Sequence, residues 1–345
     1  MRPNTFKAAV LSIPGEPLEI CDMYFPKLAS GQVLVKLISS TVCASQLFEI
    51  AGKRGKDKFL PHMLGHEGFG IVEELGAEVS RFKQGDEIIL TWVQQGGLES
   101  APISFLDINR RVVNAGKVTT FAEYAVVSEN RLFHAPKCDP RILPLLGCAA
   151  LTGVGMVIEV PCKSNRALVI GGGGVGIFTI LKLLSDGVEN IHVVEKSKER
   201  RKKILQISQH IKVYSSLSDN ELIAECHEQG VFEEVYEATG DIEALQLSLS
   251  LVETPGILIF ASHPEVGGRI QLDPHELIKG KRVLGTWGGG CSELSRRETA
   301  IEVFTHWQEL LKDFVSEPIR LEQINEYLFL ESIKPTGRLL IGTNL

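Results

Sequence analysis

At 345 residues, with 44% hydrophobic and 23% charged side chains, the chain is long enough for two packed domains and lacks the bias of a disordered, fibrous or membrane protein. A net charge of −7 removes any general attraction to nucleic acid or to an anionic membrane surface. Seven scattered cysteines, an odd number, make a poor disulfide framework, so reduced thiols in a cytoplasmic protein are expected, with no apolar run long enough to span a bilayer.

In the first half, GQVLVKLISS, GIVEELG and GDEIILTWV alternate apolar with polar residues between glycines, which predicts strands of an antiparallel sheet or barrel. Between the first two lies MLGHEGFG, residues 63–70, where His66 and Glu67 stand side by side among glycines. Such a pair is ordinarily structural or solvated; only distant partners decide otherwise. Cys43, in SSTVCASQLFEI, and Cys148, in LPLLGCAALTGVG, offer that company. Two thiolates, one imidazole and an open fourth position make a catalytic zinc site, whereas without convergence the cysteines are ordinary small buried residues.

Near residue 150 the texture changes, and apolar strands alternate with helical segments: ALVIGG, VGIFTILKLLSDG, NIHVVEK, ERRKKILQIS, then EEVYEAT, EALQLSLSLV, GILIFAS and KRVLGTW. That alternation predicts βαβ units on a parallel sheet. The basic run KSKERRKK, residues 196–203, directly follows a strand and reads as a solvated helix start. In GGGGVG, Gly171, Gly173 and Gly176 give GxGxxG at a strand-to-helix turn, where glycines permit the tight turn and the approach of a pyrophosphate to the helix N-terminus; Gly174 and Val175 complete the turn. Glu195 ends the next strand, nineteen residues beyond Gly176, where a carboxylate accepts from the adenosine ribose hydroxyls and repels an added phosphate. NAD is therefore expected rather than NADP. From about Cys291 the chain reads as a helix, RRETAIEVFTHWQELLKD, and a closing strand, GRLLIGT, resembling the first half in texture.

Taken in order, VCASQ, GHEGFGIVEELG, GDEIIL, TTFAEYAVV, LLGCAALTG, GGGGVG and GRLLIG resemble the zinc-dependent medium-chain alcohol dehydrogenases nearly end to end. The resemblance implies a Rossmann coenzyme domain, residues 150–287, inserted into a GroES-like, chaperonin-10-type β-barrel catalytic domain, residues 1–149 and 288–345. It implies Cys43, His66 and Cys148 as zinc ligands, with Glu67 close behind or exchanging onto the metal, and Ser45 as the hydroxyl that bonds the substrate oxygen and passes on its proton. It further implies Thr152 against the nicotinamide, Arg200 beside the adenosine, Arg338 at the pyrophosphate, and Trp92 and Trp287 as pocket walls suited to an aromatic alcohol or a sugar face.

Departures from the family pattern are as informative. The usual aspartate three residues after the first cysteine is Gln46, the basic residue after it is Ala44, and the terminal relay histidine is Phe48, so proton exit must run by water, ribose or a group such as His62. The stretch TWVQQGGLESAPISFLDINRRVVNAGKVTTFAEY has no cysteine, so one catalytic zinc and no structural zinc are expected. The reading is an NAD-dependent zinc alcohol dehydrogenase acting on a small alcohol or polyol, with no nucleic-acid or membrane partner. The alternatives are a zinc-free reductase of the same superfamily and a non-catalytic NAD-binding protein. A sheet edge at KRVLGTW predicts a homodimer or a tetramer built from it, unless Lys281 and Arg282 act as gatekeeper charges.

Overall fold

The computed structural model describes residues 2–329, 337–343 and 345. The chain divides into two compact units, residues 1–148 with 314–345, and residues 149–313.

The first unit is built of two sheets. One runs in the order Glu19–Tyr24, Thr5–Leu11, His62–Met63, Val112–Asn114, Ser104–Leu106. The other runs Leu132–His134, Glu87–Thr91, Glu67–Leu75, Gln32–Thr41, Arg338–Gly342, Val315–Ile319, with Tyr124–Ser128 also paired to Gln32–Thr41. The alternation read from the sequence puts apolar side chains of both sheets into one core, where Phe6, Val10 and Met23 meet Val33, Val35, Leu37, Ile88 and Val126. This is the face-to-face packing that the GroES-like expectation requires.

The glycines of GHEGFG have a packing reason. Glu67–Leu75 pairs antiparallel with Gln32–Thr41, Gly70 lying opposite Leu37, and a Cβ on Gly70 would run into the Lys36 carbonyl and Val35. Gly65 sits at φ +92°, and a Cβ there would meet Thr120 and Phe121. Close backbone approach at these points delivers His66 and Glu67 to the start of the strand.

The second unit is a six-stranded parallel sheet, in the order Ile211–Tyr214, Asn190–Val194, Arg166–Ile170, Phe232–Glu237, Val252–Phe260, Arg282–Gly285. Helices Gly174–Ser185, Lys198–Leu205, Asn220–Gln229 and Ile242–Ser248 make the crossovers, the doubly wound Rossmann arrangement. The short edge strand Ile211–Tyr214 is an element that periodicity does not disclose, because four residues give too little pattern.

The tail divides differently from its sequence texture. The expected return to the first domain at residue 288 falls instead at Phe314. Helix Leu294–His306 buries Ala300, Val303 and Phe304; the Phe304 ring stacks on Phe178 with centroids 6.1 Å apart, and Trp307 Nε1 donates to Ser185 Oγ at 3.1 Å. An amphipathic helix joins whichever unit covers its apolar stripe, and here helix Gly174–Ser185 supplies the cover.

No helix among the described residues is long and apolar enough to cross a membrane.

Candidate metal and coenzyme sites

Three distant stretches of chain converge in the first unit. Cys43 precedes helix Ala44–Ile50, His66 precedes strand Glu67–Leu75, and Cys148 follows the turn Leu143–Gly147. One ligand atom from each lies within 4.8 Å of the others. Gly147 makes the third approach possible, since a Cβ there would collide with the Leu90 carbonyl and with Glu67.

The electrostatics of the cluster favour a cation. The Cys148 thiol hydrogen-bonds Cys43 and holds the Cys43 thiol well below the usual thiol range against the effect of burial, with Arg338 and His66 adding to the fall. By the same hydrogen bond, and by burial, Cys148 is pushed well above that range. The two shifts run in opposite directions because one hydrogen bond favours the Cys43 thiolate at the expense of the Cys148 one. His66 Nε2 is buried without a hydrogen-bond partner among the described residues, as are Ser45 Oγ and Glu67 Oε2. Two sulfurs and one orphaned imidazole nitrogen are a donor set that fits zinc with a position left open.

Around the ligands, the expected roles separate. Glu67 is fully buried, and its Oε1 accepts from Thr41 Oγ1 at 2.6 Å and from the Arg338 guanidinium. Burial pushes the Glu67 carboxyl upward, with Arg338 opposing. Glu67 is thus engaged by Arg338 and Thr41 through Oε1 and is not one of the three residues whose ligand atoms converge. Arg338, expected at the pyrophosphate, is buried within the first unit and paired with Glu67. Burial works against its charge, but Cys43, Glu67 and Cys148 outweigh burial and keep it protonated. A closing strand reads from sequence as an edge element, and nothing in GRLLIG discloses that its arginine points into a carboxylate far away in the chain.

Trp92 packs edge-on to His66, with ring centroids 6.4 Å apart, and its carbonyl accepts from Arg131 Nη1 at 2.6 Å. Trp287 belongs to the second unit, is 69% exposed, and meets His263 edge to face at 5.1 Å. Trp92 thus adjoins His66 within the first unit, while Trp287 stands on the second. His62 is tied at both ring nitrogens, Nδ1 to the Met63 carbonyl at 2.9 Å and Nε2 to Asp57 at 2.8 Å.

A functional partner less legible in the sequence is Gln46. Its Oε1 accepts from the Cys43 N–H at 3.0 Å, and its Nε2 lies against His66 Nδ1. The signal was its spacing, three residues after the ligand, where a side chain can fold back on the start of its own helix.

In the second unit the glycine turn is formed as expected. Gly171 has φ +95°, and a Cβ on Gly176 would collide with the Gly171 carbonyl, so helix and strand meet only because both positions lack side chains. A Cβ on Gly173 would meet nothing within 4 Å, which leaves open space at the start of helix Gly174–Ser185 for an approaching phosphate. Glu195, 6% exposed, accepts at Oε2 from the Gly172 N–H and at Oε1 from the Ser197 N–H, both at 2.8 Å. Arg200 Nη1 stands 3.7 Å from the same carboxylate. Thr152, on helix Ala149–Glu159, is buried, and its Oγ1 has no partner among the described residues. Turn, acidic strand end and open cradle fit a dinucleotide.

Comparison with known proteins agrees with this geometry. Residues 29–137 match the alcohol dehydrogenase GroES-like domain. The chain is similar to the class-3 alcohol dehydrogenase of Myxine glutinosa, 24% identical over 351 residues covering 93% of both chains. It superimposes on the alcohol dehydrogenase zinc-binding domain protein of Burkholderia ambifaria with a TM-score of 0.86 at 21% identity, over 98% of this chain and 99% of that one. It superimposes on the benzyl alcohol dehydrogenase of Acinetobacter calcoaceticus with a TM-score of 0.84 at 22% identity, over 99% and 100%.

Proposed function

We propose that the chain is a zinc-type medium-chain dehydrogenase/reductase that transfers a hydride between an alcohol and NAD, giving an aldehyde or ketone, a reading supported by its GroES-like domain match and its similarity to alcohol dehydrogenases. The observation that carries this reading is the convergence of Cys43, His66 and Cys148, with His66 Nε2 buried and unpartnered. A zinc-free reductase of the same superfamily has no use for three convergent ligands, so the zinc reading is preferred.

Cys43, His66 and Cys148 would hold one zinc ion. When bound, zinc supplies the Lewis acidity that lowers the pKa of a substrate hydroxyl, and NAD supplies the hydride acceptor. Ser45 Oγ, two residues beyond Cys43 and without another partner, would accept a hydrogen bond from the substrate hydroxyl and relay its proton outward. Phe48, one turn on, has no exchangeable proton, and both His62 nitrogens are engaged, so the relay is assigned to water or to the coenzyme ribose. Glu67, held by Arg338 and Thr41, would orient the site from behind without joining it. Trp92, edge-on to His66, would wall the substrate position and favour a flat aromatic alcohol.

In the coenzyme unit, Gly171, Gly173, Gly174, Val175 and Gly176 would cradle the pyrophosphate, Glu195 would take the ribose hydroxyls, Arg200 would lie by the adenosine, and Thr152 would pack on the nicotinamide. Trp287 would face the substrate from the coenzyme unit. The enzyme is proposed to be cytoplasmic and to work as a homodimer or a homotetramer built from that dimer.

The test is a panel of aromatic, aliphatic and polyol substrates followed by NADH absorbance, on protein whose zinc has been counted. The expected result is one zinc per chain and turnover of at least one alcohol. Cys148→Ser should lose both zinc and turnover while retaining NAD binding, because the glycine turn, Glu195 and Arg200 belong to the other unit. Full activity in metal-free protein would overturn the reading.

A further inference from the structure

We infer that Gln46 sets metal binding at the Cys43, His66, Cys148 site in competition with the cap of the helix that follows Cys43, so that the ion is held more weakly than a carboxylate at position 46 would hold it. This rests on the zinc reading above and goes beyond it, because it assigns the chain's own departure from the family pattern a physical consequence.

The argument is one of hydrogen-bond valence. Gln46 is 3% exposed, and its amide has one acceptor and one donor end. The acceptor end is fixed: Oε1 takes the Cys43 N–H at 3.0 Å, reaching back over the first turn of helix Ala44–Ile50. The donor end therefore points at His66 Nδ1. Turning the amide round would set its NH2 against the Cys43 N–H, donor against donor. With Nδ1 accepting, a neutral ring carries its one proton on Nε2, the buried nitrogen that has no partner.

A metal ligated by Nε2 moves that proton to Nδ1. The loaded site then presents two donors, Nδ1–H and the Cys43 N–H, to an amide with a single oxygen. Either Nδ1–H faces the amide NH2, donor against donor, or the amide oxygen swings between the two N–H groups and bonds each from a compromised position. A carboxylate would take one donor on each oxygen. Glutamate has the length of glutamine, so it would meet both donors with the backbone unmoved. Gln46 is in this sense a positioning residue that favours the metal-free arrangement of His66.

The experiment uses the full-length protein, zinc-stripped and titrated against a chromophoric chelator, wild type beside Gln46→Glu, with far-UV circular dichroism and the thermal melt as the check that both units are folded. Gln46→Glu should bind zinc about 10- to 100-fold more tightly and release it to the chelator correspondingly more slowly. Equal or weaker zinc affinity in a folded Gln46→Glu protein overturns the inference. A second variant keeps the test independent of that one: Gln46→Ala removes the amide NH2 that opposes Nδ1–H, so it should bind zinc at least as tightly as wild type, and weaker binding in a folded Gln46→Ala protein overturns the inference. Failure of both proteins to take up zinc would instead overturn the functional reading itself, and is distinguished from tight, variant-independent binding by the metal count.

Discussion

At the scale of single residues, the two sites differ in how their charges are supported. Glu67 and Arg338 form a buried pair in which each needs the other, since breaking such a pair leaves an uncompensated charge worth about 3–5 kcal/mol. Glu195 is anchored instead by backbone donors, the N–H groups of Gly172 and Ser197, and keeps acceptor capacity for a ribose. Arg200 stands 3.7 Å away, a cation presently opposed by that carboxylate. Glu195→Ser should therefore raise the ratio of kcat/KM for NADP to that for NAD by about tenfold or more, as removal of a like charge and release of Arg200 act together. Steady-state kinetics with both coenzymes decides it: an unchanged ratio would show that Glu195 does not face the ribose.

At the scale of elements, the cysteine-free stretch after strand Glu87–Thr91 is held by a polar cluster. Glu99 accepts from Asn130 Nδ2 at 2.6 Å, from Arg131 Nη2 at 3.0 and 3.1 Å, and from Lys117, tying the segment after strand Glu87–Thr91 to the turn Glu129–Arg131. Burial alone would raise the Glu99 carboxyl, but the bonds from Lys117, Asn130 and Arg131 outweigh it and bring it from 4.5 to about 2. A folded-state pKa below the unfolded one stabilises above the unfolded value, so this contribution is complete above about pH 4.5 and is lost as the pH falls to about 2. Glu99→Gln should lower the urea midpoint at pH 7, and the gap to wild type should close between pH 5 and pH 2. A gap that does not change with pH would mean that the cluster does not support the fold through its charge.

At the scale of the whole molecule, strand Arg282–Gly285 terminates the parallel sheet, as KRVLGTW led us to expect. One expected deterrent to pairing is absent: Lys281 is buried, its Nζ donating to the Leu249 carbonyl and to Glu276, both at 2.9 Å, so of the two charges only Arg282 stands at the edge. Exposed Trp287 closely follows the strand, and exposed Leu277 and Ile278 precede it, an apolar flank that a second copy could cover. A two-fold pairing of this edge should give a particle at least twice 37.9 kDa in light scattering at micromolar concentration, and Val283→Pro should shift the mass down towards the monomer. Wild type scattering as a monomer would refute the pairing.

The sequence by itself determined what local pattern and ordered motifs can carry: the antiparallel first half, the βαβ alternation, the glycine turn with its acidic strand end, and the identity of Cys43, His66 and Cys148 as the residues to watch. These are legible because strand period, glycine at positive φ and motif spacing are short-range properties. Only the tertiary structure decided that Cys43, His66 and Cys148 meet within 4.8 Å, that Arg338 is joined to Glu67, that Lys281 turns inward, and that helix Leu294–His306 belongs with the coenzyme unit. Each of these depends on a partner far away in the chain. A buried charge or an apolar stripe states that it needs a partner without stating which one, and the choice is made by the packing that brings the candidates within reach.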